Sequence, residues 1–226
     1  MPRTVRVRRP APRKRAARTA RSPQPRPGPR STYHHGDLRR ALVDAAAAII
    51  GEVGAEAFTL REAARRSGVN HRAAYRHFAD KDSLLAAVAE QGFRELIDAA
   101  RREVAAAATE DPEARLLAAA RAYVQFAAHH PAHFRVMFGP RLNEGGHFTA
   151  VDELVKEAYV LLEAEVRTGI AAGRFAADAG PHPMVALWAG MHGLASLVLM
   201  KRVEVPEGRL GAWVDRVMGK VVRGLR

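Results

Sequence analysis

The stretch Asn70-His71-Arg72-Ala73-Ala74-Tyr75-Arg76-His77-Phe78 carries a hydrogen-bonding side chain at six of its nine positions. Wound as a helix, it places Ala74 and Phe78 four residues apart on an inward side. His71, Arg72, Tyr75 and Arg76 then stand on the opposite side, a set of donors suited to base edges and phosphate oxygens. Thr59, Tyr75, His77 and Lys81 add four donors at helix starts and along this helix, where phosphates of a bound duplex would lie. The plain alternative is a solvated surface helix, which is what most charge runs are; the combination of these residues, more than any one of them, favours DNA.

Other chemistries find less support. The chain has no cysteine, which excludes disulfide scaffolds, thiol nucleophiles and thiolate metal sites. His129, His130 and His133 invite a metal, but Pro131 interrupts their helical register and no acidic residue lies within the segment, so no metal is expected. There is no phosphate-cradling glycine loop and no Gly-x-Ser-x-Gly elbow, and Glu144-Gly145-Gly146-His147 reads as a loop. The expectation is a protein that is not an enzyme and carries no cofactor.

The elements that must hold the donor helix are also legible. Thr59-Leu60-Arg61-Glu62 is a capping box that opens a short helix ending at Ser67-Gly68. Asn70 then caps the helix running to Phe78. Two short helices across a glycine turn make a helix-turn-helix, whose second member lies in the major groove. Before it, a helix from about Asp37 shows Leu38, Leu42, Ala45, Ile49 and Val53 on one face until Gly51–Gly54. After it, the pattern predicts a long helix over 83–108, broken at Thr109-Glu110-Asp111-Pro112, and further helices near 113–129, 131–138, 148–172, 183–202 and 208–225. The fold class is all-α, about nine helices, with a three-helix head and an antiparallel C-terminal bundle.

Charge is distributed unevenly. The chain has 226 residues and a formal charge of +12, and residues 1–30 hold ten Arg, one Lys, seven Pro and no acid. That segment is expected to be a disordered Arg/Pro-rich arm, with 31–82 the DNA-binding domain and 83–226 a helical effector and dimerisation domain joined through the helix at 83–108. The rest is nearly neutral, so any field it uses is local. No stretch is long and apolar enough for a membrane span, and a cytoplasmic protein is expected.

The helix at 183–202 is apolar all round, with Leu187, Met191, Leu194 and Val198 on one side and Trp188, His192, Ala195 and Leu199 on the other. The first side, with Trp213 and Val217 of the last helix, could close a homodimer; packing within one monomeric bundle is the alternative. Phe126, Phe134, Met137, Phe138 and Trp188, with His192 as polar anchor, could wall an effector cavity, or simply form an aromatic core with a satisfied histidine.

Tyr33-His34-His35-Gly36-Asp37-Leu38-Arg39, Gly54-Ala55, Phe58-Thr59-Leu60-Arg61-Glu62-Ala63-Ala64, Gly68-Val69 and Tyr75-Arg76-His77-Phe78-Ala79-Asp80-Lys81 together resemble the tetracycline-repressor (TetR/AcrR) family of transcription regulators. Trp188, His192, Gly193, Leu194, Ala195 and Leu197 resemble the Trp-His-Gly type of C-terminal domain found in part of that family. The resemblance implies an all-helical homodimer that binds double-stranded DNA and a small effector. By position it makes Thr59, Tyr75, His77 and Lys81 phosphate contacts and Arg61, His71 and Arg72 base readers, with Phe78 locking the third helix. Ala73 departs from the pattern, as does the arm. The expected function is therefore a ligand-responsive regulator, a repressor on a palindromic operator released by a small apolar effector. The alternative is an architectural DNA-binding protein that uses the basic arm without reading sequence.

Overall fold

The computed structural model describes residues 35–107, 110–140, 142, 148–176 and 183–225. The expected arm at 1–30, Tyr33-His34 of the family-like motif and the loop at 144–147 lie outside them. Nine helices are found among the described residues: α1 His35–Ala57, α2 Leu60–Arg66, α3 His71–Tyr75, α4 Lys81–Ala106, α5 Pro112–His129, α6 Pro131–Met137, α7 Thr149–Ala171, α8 Pro183–Leu199 and α9 Leu210–Arg223. The all-α expectation holds, with no strand among those residues.

Helix ends follow local chemistry. Thr59 accepts the Glu62 N–H at 3.2 Å, and Asn70 accepts the Arg72 N–H at 2.9 Å. The reciprocal half of the expected capping box at Thr59 is taken elsewhere, because the Glu62 carboxylate turns to Arg65 at 2.7 and 2.8 Å. A complete box forms instead at Asp80 and Ser83, so α4 starts at Lys81 and not at Ser83. Helix α3 is shorter than expected: it ends at Tyr75, and a final turn carries Phe78 inward through its N–H to Ala74 O at 3.0 Å. Gly68, at φ +68°, reverses the chain between α2 and α3 in a conformation that glycine adopts at little cost.

Leu38, Leu42 and Ile49 of α1 are buried as expected, but Val53 is 54% exposed. The inward side also runs through Val43, Ala46 and Ile50, because α1 packs against three helices, α2, α4 and α6. Gly54, at φ 84° and ψ 162°, kinks the helix just beyond Val53.

Helix α5 is the axis of the body, packed by α4, α7, α8 and α9. Leu116 and Val124 of α5, Leu187 of α8 and Val214, Met218 and Val222 of α9 are wholly buried around it. Ion pairs tie the outer helices to this axis, Arg115 to Glu165 at 2.6 Å and Arg121 to Asp215 at 2.7 Å. Helix α4 joins head to body; α6 packs so close to it that a side chain at Gly92 would meet Met137 Sδ at 2.6 Å.

Candidate nucleic-acid interface

Inside the head, Phe58, Leu60, Ala63, Ala64, Ala74 and Phe78 form the small core on which α3 sits, each no more than 4% exposed. Half of these residues are alanines, so the anchor is modest, and the Arg39 guanidinium lies 5.3 Å from the Phe78 ring centroid to add a cation–π contact. With Ala74 and Phe78 inward, helical geometry sends His71, Arg72, Tyr75 and Arg76 outward, and all four are exposed. Thr59 and Arg61, at the start of α2, are exposed as well.

The cations of the head divide into two groups. Arg65 is held by Glu62, and Arg66 reaches Glu52 through both terminal nitrogens, at 2.6 and 2.5 Å. Arg65 above all, with help from Arg66, pulls the Glu62 carboxyl down to about 2. Arg61, Arg72 and Arg76 make no ion pair with any described residue. Carboxylates thus tie down the two arginines at the end of α2, while those at its start and on α3 keep their donors for a ligand.

The four expected phosphate donors differ in availability. Tyr75 is 53% exposed. Thr59 uses its oxygen as the helix cap and keeps its O–H to donate. Lys81 donates to the Glu56 carbonyl at 2.8 Å, so one of its three protons closes the end of α1. His77, two residues past the end of α3, is half-buried. Arg61, His71, Arg72, Tyr75 and Arg76 are thus exposed on the helix-turn-helix, whereas His77 and Lys81 are half-buried.

A second feature lies in the body. A cavity of about 230 Å³ is walled by Phe93, Leu96 and Ile97 of α4, Tyr123 of α5, Phe138 just past α6, Tyr159 and Leu162 of α7, and Trp188 and Met191 of α8. Of the six expected lining residues only Phe138 and Trp188 face it. Phe134 and Met137 are packing filler, 3% and 2% exposed, because α6 lies flat on α4. Phe126 stacks on His130 with centroids 4.9 Å apart and borders a polar cleft of about 440 Å³ between α4 and α5 instead. His192 stands behind Tyr123, its Nδ1 sharing a hydrogen bond with Tyr123 Oη at 3.0 Å, and stacks on Phe134. Burial lowers its pKa and raises that of Tyr123, so both are neutral at pH 7. The α4 and α7 walls are absent from the expected set; their only sequence signal is the apolar periodicity they share with any core helix.

The residues expected at a dimer seam fall into two groups. Leu187, Met191 and Leu194 are 2%, 4% and 6% exposed and pack within their own chain, against α5 and α9. Val198, Trp213 and Val217 are half-buried at the edge of the same core. The exposed strip of α8 is neither of the two expected sides: it runs through Val185, Ala186, Ala189, Gly193 and Leu197, with Met200 just past the helix end, while Ala195 of the second expected side is buried. Among the described residues no three His, Asp or Glu side chains are grouped to hold a metal, and none of their helices is long and apolar enough to cross a membrane.

Residues 42–88 match the family model of bacterial regulatory proteins of the tetR family, and residues 116–221 match that of the tetracyclin repressor-like C-terminal domain. The chain belongs to the TetR family. This TetR-family chain is 35% identical over 82 residues to the HTH-type transcriptional regulator BetI of Yersinia pestis (strain Pestoides F), a match covering 36% of this chain and 41% of that regulator. The chain thus spans about two fifths of the length of the curated relatives it matches. Among solved structures, a protein of unknown function from Rhodococcus sp. RHA1 is 32% identical with a TM-score of 0.73, covering 87% of this chain and 99% of that one. FadR from Bacillus subtilis, solved in complex with stearoyl-CoA, shares the fold at a TM-score of 0.66 and 15% identity, over 83% of this chain and 99% of its own.

Proposed function

We propose that this chain is a DNA-binding transcriptional regulator, a repressor that binds a palindromic operator as a homodimer and leaves it when a small molecule occupies the body. The observation that carries the reading is the exposed surface built by α2 and α3: three arginines without carboxylate partners among the described residues, a histidine and a phenol, all fixed to helices whose other side is a closed apolar core. On this reading Arg61, His71 and Arg72 read bases, while Thr59, Tyr75, His77 and Lys81, with Arg76 beside them, hold phosphates. The match of residues 42–88 to the family model of tetR bacterial regulatory proteins supports it.

Homodimer formation finds support in the outer side of α8. Ala186, Ala189 and Gly193 are exposed small residues at helical spacing, flanked by Leu197 at 42% and Met200 at 66% exposure. Small residues allow two helices to approach closely, and an apolar strip of this kind is a cost in a monomer. A two-fold axis there presents two heads to half-sites about 34–36 Å apart or somewhat more.

The route from body to head runs along α4. Phe93, Leu96 and Ile97 wall the cavity, and the N-terminus of the same helix is capped by Asp80, two residues after the Phe78 that anchors α3. A ligand that favours one position of α4 over another shifts the heads; one with equal affinity for both does nothing. Selection of bound sequences from a random DNA pool with the full chain tests the function: the expected product is an inverted repeat, and a pool without enrichment refutes sequence-reading.

A further inference from the structure

The apolar cavity differs in character from the polar cleft beside it. Among the described residues none of its walls carries a formal charge, and it is enclosed chiefly by Phe93, Leu96, Ile97, Phe138, Trp188 and Met191. The nearby ion pairs are spent outside it, Arg101 on Glu157 at 2.7 Å and Arg115 on Glu165 at 2.6 Å. A carboxylate or phosphate placed there loses its hydration with no counter-charge to replace it, the most costly kind of burial.

Volume narrows the occupant further. At about 230 Å³ the space is half as large again as a 150 Å³ apolar cavity known to hold a single benzene ring. That suits a two-ring skeleton and falls short of the roughly 300–1,000 Å³ of sites for larger ligands. Two of the walls, Tyr159 and Trp188, are 47% and 46% exposed, so they form a rim of flat rings through which a planar molecule passes.

One buried polar group remains. Tyr123 is 8% exposed, and its hydroxyl offers one donor and two acceptor sites. His192 Nδ1 occupies one of these at 3.0 Å. The hydroxyl keeps hydrogen-bonding capacity for a ligand.

We infer that the cavity takes an uncharged, compact two-ring molecule bearing one hydrogen-bonding group, which pairs with Tyr123 Oη. This rests on reading the cavity as the effector site, and it sets the chain apart from the stearoyl-CoA complex of its fold neighbour from Bacillus subtilis.

Calorimetric titration of the full chain at pH 7 tests it, with 1-naphthol, naphthalene, 1-naphthoate and stearoyl-CoA as probes. The expected result is saturable 1-naphthol binding, one per chain, with 1-naphthoate weaker by about a hundredfold or more, in line with an unpaired charge in an apolar site. Tyr123→Phe should weaken 1-naphthol by about fivefold and leave naphthalene unchanged, the signature of one lost hydrogen bond. Ala119→Leu, which adds bulk to a wall, should abolish saturable binding of both. Equal or tighter binding of 1-naphthoate or stearoyl-CoA, or 1-naphthol binding indifferent to Ala119→Leu, overturns the inference. Saturable 1-naphthol binding with no effect on DNA affinity supports the ligand class and refutes only release by effector.

Discussion

Arg61, Arg72 and Arg76 owe their availability to what surrounds Arg65 and Arg66. Glu52 and Glu62 pair with Arg66 and Arg65, so these carboxylates stiffen α2 without quenching the surface proposed to face DNA. Residues that hold phosphates carry no sequence information. Tyr75→Phe and Lys81→Ala should therefore weaken binding to operator and random DNA by the same factor, read by anisotropy at fixed salt. Lys81→Ala should also lower thermal stability slightly, since it removes the donor to the Glu56 carbonyl. A loss confined to the operator would show that either residue reads a base.

Among the helices, the joint between α1, α4 and α6 holds a titratable group with an unmet hydrogen bond. His133 of α6 has its Nε2 buried without a partner, and burial lowers its pKa. Glu95 and Asp44 oppose that shift, and His130 reinforces it. The unfolded chain binds a proton near pH 6.5 and the folded one only below that, so stability is complete above pH 6.5 and falls as pH drops through the folded pKa. His133→Leu should flatten the pH dependence of thermal unfolding below about pH 6.5, and raise stability at pH 7 by up to about 1 kcal/mol by removing the orphaned nitrogen. An unchanged pH profile would place the titration elsewhere. The same elements show what a sequence discloses. Thr59, Asn70 and the Ala74–Phe78 pair act over two to four residues, so the head is legible in the chain's local order. Helix α8 is apolar on every side, and a pattern with no polar face cannot say which side goes inward; Leu187, Met191 and Leu194 go inward. The cavity is legible only at Phe138 and Trp188, because a void is a property of how α4, α5, α7 and α8 cross, and many apolar side chains of these helices are equally suited to border it.

At the scale of the whole molecule, the proposed dimer joins two copies through the exposed strip of α8, so that α3 of each would read one half of an inverted repeat. Light scattering of the full chain should give about twice the 24.6 kDa chain mass, and Leu197→Glu, at the 42% exposed position, should return it to the monomer without unfolding it. A wild-type monomer at micromolar concentration would remove the dimer. The central claim, that α3 reads sequence, is tested most directly by the ratio of operator to random-DNA affinity for the full chain and for Arg72→Ala, measured at one salt concentration. The expected ratio is about a thousand or more for the wild type. For Arg72→Ala it should be lower by about five- to 150-fold, equivalent to about 1–3 kcal/mol, with relaxed preference at one or two base pairs and nearly unchanged random-DNA affinity. A wild-type ratio near one, or an equal loss on both DNAs in the variant, would contradict it.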